Sequence, residues 1–390
     1  MKGKRPQPRN VAHRLHILMK LELPDYIFRI DPYKPGKPIE ELEREYGISG
    51  AVKLASNENP LGPSPKALEA VRGCLHSVHR YPDGSGRTLA SKIAAKFNLK
   101  PENIVLGNGS DEIIGMLARV LLRPGDEALL PQQSFSMYEI MVRSCGATPV
   151  SVPLADSMAI DLTGMHNRLT SRTRMVFLCN PNNPTGMVIT RRDLEAFLQK
   201  LPPNIVVVVD EAYIEFVTDP QCARATDFLG EESALAVLRT FSKAYGLAGL
   251  RIGYGIMPST LAGYLHRVRQ PFNAALPAQV AAAAALEDEA FLQKTIQTVH
   301  AGLTYLQRAL EQLGIRYFPT QSNFFMIDVR RSADEVFEQM LRKGVIVRSM
   351  SAYGFADRIR INVGLPQENE RFVQALSEVL DVSPVPPGGQ

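Results

Sequence analysis

Lys243 follows an apolar run in Thr240-Phe-Ser-Lys243-Ala-Tyr-Gly-Leu-Ala-Gly-Leu-Arg251. A lysine alone on a loop is ordinarily a solvated surface group. Held in a partly desolvated site, it has a lowered pKa and can form a Schiff base with an aldehyde. Ser242 beside it and Arg251 eight residues on are groups that grip an anion such as a phosphate. Three other segments add to this one. Asp210 ends the apolar run Val206–Val209, and open α/β sheets place ligand sites at such strand ends. Taken alone, the segment is better explained by an aspartate capping a helix. Cys179-Asn-Pro-Asn182-Asn183-Pro184-Thr-Gly186 runs from an apolar stretch into turn residues, and an ordinary tight turn is its plain explanation. Gly107-Asn-Gly109-Ser110-Asp111 leads from a strand toward a helix capped by Ser110, whose free amides form an anion site.

Together, in this order, the segments resemble the fold type I pyridoxal-phosphate (PLP) aminotransferases, and more narrowly the histidinol-phosphate aminotransferase family. The closer resemblance rests on Leu54-Ala-Ser-Asn57-Glu58-Asn59-Pro60-Leu-Gly62, Arg80-Tyr81-Pro82-Asp83, Asp210-Glu-Ala-Tyr213-Ile-Glu-Phe216, Arg239-Thr-Phe-Ser-Lys-Ala-Tyr245 and Arg358-Ile-Arg360-Ile-Asn-Val-Gly364. It covers roughly residues 25 to 380.

The resemblance implies PLP as cofactor, an amino donor and a 2-oxo acid as substrates, a place in histidine biosynthesis, and a homodimer. It makes Lys243 the catalytic lysine, carrying the cofactor and moving the proton from Cα. Asp210 would pair with the pyridine nitrogen, while Asn182 and Tyr213 would bond the ring's phenolic oxygen. Phe135 stands where the family usually stacks a tyrosine on the ring; it keeps the stack and loses the hydroxyl. The cofactor phosphate would lie among the Ser110 and Asp111 amides, Ser242 and Arg251, with the Asp111 side chain turned away. Tyr81 would reach that phosphate from the neighbouring subunit. Arg360 matches the family's substrate-carboxylate arginine; Arg348, otherwise a surface ion-pair residue, and Asn59 would complete substrate binding. A guanidinium fork suits phosphate and carboxylate alike, so these arginines can serve both half-reactions.

Elements must position these groups. Short apolar runs alternate with helical patterns, as in a mostly parallel α/β sheet flanked by helices. Strands are predicted at 104–106, 127–130, 175–179, 205–209, 235–238 and 251–256. Val206–Val209 is apolar without alternation, which fits a strand buried on both faces. Ile296, Val299, Leu303, Leu306, Leu310 and Leu313 predict a helix stopped by Gly314. Pro277 opens another helix, and Ser332-Ala-Asp-Glu335 is a capping box for a helix closed by Gly344. From about 315, strand and helix alternate as in a small α+β domain. The predicted organisation is a basic arm (1–24), a segment joining the small domain or a partner subunit (25–60), a large PLP-binding domain (61–285) and a small C-terminal domain (286–390).

Composition narrows the class. The 390 residues are 45% apolar and 22% charged, as in a soluble globular chain of about two domains. No apolar run of about 18 residues suggests a membrane span. The net charge of +4 is too mild and dispersed to argue for nucleic acid. Four scattered cysteines exclude a zinc knuckle and fit a reducing cytoplasm. The resemblance leaves an aromatic amino-acid aminotransferase and a threonine-phosphate decarboxylase open on the same scaffold. A non-catalytic PLP-binding regulator would need an appended DNA-binding module, and barely 25 residues precede the matched region.

Overall fold

The computed structural model describes residues 22–33 and 35–383, so most of the basic arm lies outside the described residues. Among the described residues there are twelve strands: β1 (Val52–Lys53), β2 (Ile104–Gly107), β3 (Glu127–Pro131), β4 (Thr148–Val152), β5 (Thr173–Cys179), β6 (Val206–Asp210), β7 (Leu235–Thr240), β8 (Gly253–Ile256), β9 (Phe324–Asp328), β10 (Val345–Ile346), β11 (Arg348–Ser349) and β12 (Arg358–Asn362). The fold is α/β, with one large, mostly parallel sheet in the order β2-β8-β7-β6-β5-β3-β4. Only β8 runs antiparallel to its neighbours.

The valine run of β6 explains why this sheet needs helices on both faces. Val207 and Val209 pack into one apolar cluster, and Val208 into another. Leu129 and Val176 likewise join the first cluster, while Ala128, Leu130, Met175 and Phe177 join the second. Side chains alternate across a strand, so a strand apolar at every position serves two cores.

Two departures from the sequence reading lie in this sheet. Strand β4 was not foreseen; it is an edge strand carrying Thr148, Pro149 and Ser151, a polar, proline-containing composition that an edge tolerates. The final strand begins at Gly253 rather than Arg251, because Arg251 adopts a left-handed conformation (φ 54°) that turns its backbone out of the strand. A third correction concerns the phosphate-site helix. Gly109 occupies the N-cap position, and Ser110 is the first residue of the helix Ser110–Leu121 rather than its cap.

The C-terminal elements form a second, antiparallel sheet, β11-β12-β9, with the helix Ala333–Arg342 packed on it and the helix Pro366–Leu380 packed on that helix. The Ser332 side chain accepts the Glu335 amide at 3.3 Å, and Gly344 follows with φ 74°. The periodic helix spans Glu289–Gln312, starting two turns before Ile296 because Asp288 caps it there. Tyr317 contributes an isolated bridge to Ile327. The N-terminal segment reaches these elements directly: Val52–Lys53 pairs in parallel with Val345–Ile346, and the Asn362 amide donates to the Leu54 carbonyl at 2.9 Å. Among the described residues, no helix is long and apolar enough to cross a membrane.

Candidate active site

The ends of β5, β6 and β7 converge on a cavity closed from the other side by β11 and β12. Cys179, Asp210 and Thr240, the last residues of those three strands, all line it. Lys243 enters on the loop after β7. That loop approaches the N-terminal segment so closely that a Cβ on Gly246 (φ 70°) would lie 2.1 Å from the Gly62 carbonyl oxygen, so glycine is required there. The Lys243 Nζ donates to the Ser56 carbonyl at 3.1 Å. Burial, reinforced by the Arg360 guanidinium, lowers its pKa from 10.5 to about 8, against the opposing pull of Glu58 and Asp111.

At the far side, Asp210 is buried and accepts two hydrogen bonds, from the Tyr138 hydroxyl at 2.7 Å and the Ala212 amide at 3.1 Å. Burial raises its pKa from 3.8 to about 6, and the Tyr138 bond works against that rise. Phe135 lines the cavity and meets Tyr138 edge to face at 5.6 Å between centroids. The buried Tyr213 hydroxyl accepts from Asn57 Nδ2 at 3.0 Å, and its ring lies 5.8 Å from Lys243 Nζ.

An anion cradle occupies one end. Ser110, Asp111, Ser242 and Arg251 all line it. A Cβ on Gly109 would lie 2.5 Å from an Arg251 Nη2, so glycine is what lets the guanidinium approach the helix N-terminus. The Asp111 carboxylate does not turn away, as the sequence reading assumed. It accepts from Arg251 at 3.3 Å, because that guanidinium is the nearest counter-charge for a carboxylate whose pKa burial raises.

Two assignments from the sequence change. Asn182 does not face the cavity: its Oδ1 accepts from Ser134 at 2.8 Å, and its Nδ2 donates to the Gln133 carbonyl and the Thr185 hydroxyl, each at 3.0 Å. Its polar atoms are spent on holding the turn, and it is Asn183 that lines the cavity. Asn59 is likewise absent from the lining; its Nδ2 donates to the Ala244 carbonyl and Thr295, and its Oδ1 accepts the Leu61 amide. Asn57, two residues earlier, lines the cavity instead, and its buried Oδ1 has no partner. Tyr81 lies outside its own chain's cavity, 81% exposed and stacked on Phe272 at 4.5 Å. Sequence reasoning also passed over Tyr33, Tyr138 and Tyr353. Tyr33 joins the lining from a loop and Tyr353 from the short 3-10 helix Ser351–Tyr353, neither of which carries a motif, whereas Tyr138 stands three residues after Phe135.

The mouth is cationic. Arg360 is buried, donating to Asn183 Oδ1 and to the Ala55 carbonyl at 2.9 Å, with its Nε unpartnered. Its guanidinium stands 5.1 Å from the Phe324 ring centroid. Arg348 lines the same cavity.

A lysine with a depressed pKa, a buried carboxylate and an anion cradle, set at the strand ends of a mostly parallel sheet, define a PLP-dependent transferase of fold type I. Residues 49–376 match the family model for aminotransferase class I and II, and the chain belongs to that family; it is an aminotransferase. It is 45% identical over 355 residues to the histidinol-phosphate aminotransferase of Moorella thermoacetica, covering 91% of this chain and 92% of that protein. A histidinol-phosphate aminotransferase 1 from Nitrosococcus oceani is 46% identical over 352 residues, covering 90% and 95%. A crystal structure of histidinol-phosphate aminotransferase from Sinorhizobium meliloti in complex with pyridoxal-5'-phosphate matches the fold with a TM-score of 0.85 at 27% identity, covering 92% of this chain and 97% of that one. Family membership implies PLP as cofactor. The residues present fit it: the Gly109 cradle and Arg251 suit a phosphate, and Lys243 and Asp210 suit an aldehyde and a ring nitrogen.

Proposed function

We propose that the protein transfers the amino group of L-histidinol phosphate to 2-oxoglutarate, forming imidazole acetol phosphate and L-glutamate. The observation that carries the substrate assignment is the pair of arginines, Arg348 and Arg360, lining one cavity from directly opposed strand positions. Histidinol phosphate carries a phosphate and no carboxylate, whereas glutamate carries two carboxylates. Guanidinium forks accept both kinds of oxyanion, as a two-step exchange through one pocket demands.

When bound, PLP supplies an aldehyde for capturing amines and an electron sink for charge developing at Cα. The chain's residues do the rest. The Ser110 amide, the Ser242 hydroxyl and Arg251 would hold the phosphate, with the Asp111 carboxylate restraining Arg251. Asp210 holds a proton at the ring nitrogen. Tyr213 and Asn183, the latter in place of Asn182, would bond the ring's phenolic oxygen, and Phe135 would stack on the ring. Lys243 would hold the cofactor's aldehyde carbon, and its depressed pKa favours the neutral amine needed by a base that takes the proton from Cα.

The same reading has a homodimer in which Tyr81 reaches the partner's phosphate site; its exposure outside its own cavity supports this. Segment 25–60 then belongs with the small domain 286–390, closing over the large domain 61–285; the β1–β10 pairing supports that grouping. A reducing cytoplasm suits the four free thiols. Steady-state assays with equal concentrations of histidinol phosphate, phenylalanine and tyrosine as donors test the assignment. Histidinol phosphate should be preferred by at least tenfold in kcat/KM. An aromatic donor winning, or CO₂ release from threonine phosphate, would overturn it.

A further inference from the structure

Tyr138 lies outside the cavity lining, behind Phe135 and Asp210, and its hydroxyl makes the shorter of the two hydrogen bonds to the Asp210 carboxylate. Its ring is fully buried, stacked on Phe177 at 4.8 Å between centroids with planes 10° apart, so the hydroxyl has little freedom to leave. Its backbone amide donates to the Phe135 carbonyl at 3.2 Å, at the start of the helix Met137–Ser144. One short segment therefore carries both a cavity wall and the donor on Asp210.

We infer that Tyr138 is a positioning residue: its buried hydroxyl fixes the Asp210 carboxylate and keeps it ionised, so that a proton held between Asp210 and a bound ring nitrogen resides on the nitrogen. This rests on the reading of Asp210 as the ring-nitrogen partner.

The physical argument concerns where that single proton sits. The pair exists either as carboxylate with pyridinium or as carboxylic acid with neutral pyridine. Burial favours the acid, and the charges of Asp111 and Glu211 push the same way. Cys179 on the neighbouring strand and Tyr213 complete the titratable surroundings; burial raises the pKa of each, and a neutral thiol or phenol cannot offset Asp210. Against these stand the Tyr138 hydroxyl and the Ala212 amide, both donors to the ionised form. Tyr138 itself stays protonated, since burial and the adjacent carboxylate raise its pKa, so it remains a donor throughout the working range. Removing its oxygen leaves one carboxylate oxygen without its donor and shifts the shared proton toward Asp210.

The test uses the holoenzyme loaded with PLP carrying ¹⁵N at the ring, read by the ¹⁵N chemical shift as a function of pH. The wild type should show a pyridinium signal. Tyr138→Phe should show a smaller pyridinium fraction on the low-pH plateau, because the shared proton passes to Asp210, and bind PLP roughly tenfold more weakly, with an unchanged circular dichroism spectrum. A second variant, with 3-fluorotyrosine incorporated at position 138, keeps the ring and hydroxyl and sharpens the donor; its pyridinium fraction should equal or exceed that of the wild type. If both variants titrate like the wild type, the Tyr138 proposal is overturned while the Asp210 reading stands. A wild type with an unprotonated ring nitrogen takes both down.

Discussion

Arg348 and Arg360 stand directly opposite each other across the antiparallel strands β11 and β12. Like charges at such positions ordinarily destabilise a sheet, yet both side chains line one cavity. Arg360 is further held by Asn183 and the Ala55 carbonyl, so its position is set before any substrate arrives. An arrangement that is unfavourable without an anion is favourable with one, and a phosphate or a dicarboxylate fits it.

Single-turnover kinetics of each half-reaction test that pairing. Arg360→Lys keeps the charge and loses the fork, so both half-reactions should slow, by about 2–5 kcal/mol in transition-state stabilisation. If Arg360→Lys slows only glutamate while Arg348→Lys slows only the phosphorylated substrate, the two arginines divide the work and a shared site is wrong.

The Lys243 amine should react with the PLP aldehyde as its neutral form. In the cofactor-free protein, the capture rate should rise with pH and reach half its maximum near pH 8, not near the 10.5 of an unperturbed lysine. Arg360→Ala removes a cation that pushes this pKa down, so the midpoint should move up. A wild-type midpoint near 10, or no movement in the variant, contradicts the electrostatics described for the site.

Asp210 makes a stability prediction with a definite sign. Its pKa is raised on folding, so its contribution to stability is complete below about pH 4 and is lost as pH rises through about 6. Asp210→Asn should therefore stabilise the cofactor-free protein at pH 8 by about 2–3 kcal/mol and leave it unchanged near pH 3.5. The same variant should bind PLP weakly. Thermal melts across that pH range decide the point; equal shifts at both ends would show that burial of the charge is not what raises this pKa.

The proposed dimer is testable by subunit mixing. Tyr81→Phe and Lys243→Ala subunits combined in one dimer restore one complete site only if Tyr81 crosses to its partner. The hybrid should then regain about half the wild-type activity per dimer. Activity no higher than that of the separate variants would place Tyr81 and Lys243 in the same chain's site, or remove Tyr81 from it.

Most of the fold and the cofactor pocket was legible because strong local signals coincide with position. The unbroken valines of β6 fix a doubly covered strand, and its last residue, Asp210, is placed by that fact alone. The misplaced asparagines share one cause. In Asn182-Asn183 and in Asn57-Glu58-Asn59 the residue types are repeated, and which asparagine faces the cavity is settled by φ angles and turn hydrogen bonds that sequence does not display. Asn57 adopts φ 55°, which carries its side chain to Tyr213, while Asn59 is drawn to Ala244 and Thr295. Arg251 was assigned to a strand for a similar reason: its left-handed backbone leaves no trace in hydrophobic periodicity. Strand β4 escaped because an edge strand needs no apolar alternation.

The central claim is that Lys243 is the residue that holds the cofactor and moves the proton. Borohydride reduction of the PLP-loaded protein, followed by peptide mapping, tests this most directly. The label should fall on Lys243 alone, and Lys243→Ala should retain some PLP without covalent labelling while losing turnover. A label on any other lysine, or turnover surviving in Lys243→Ala, would contradict the account.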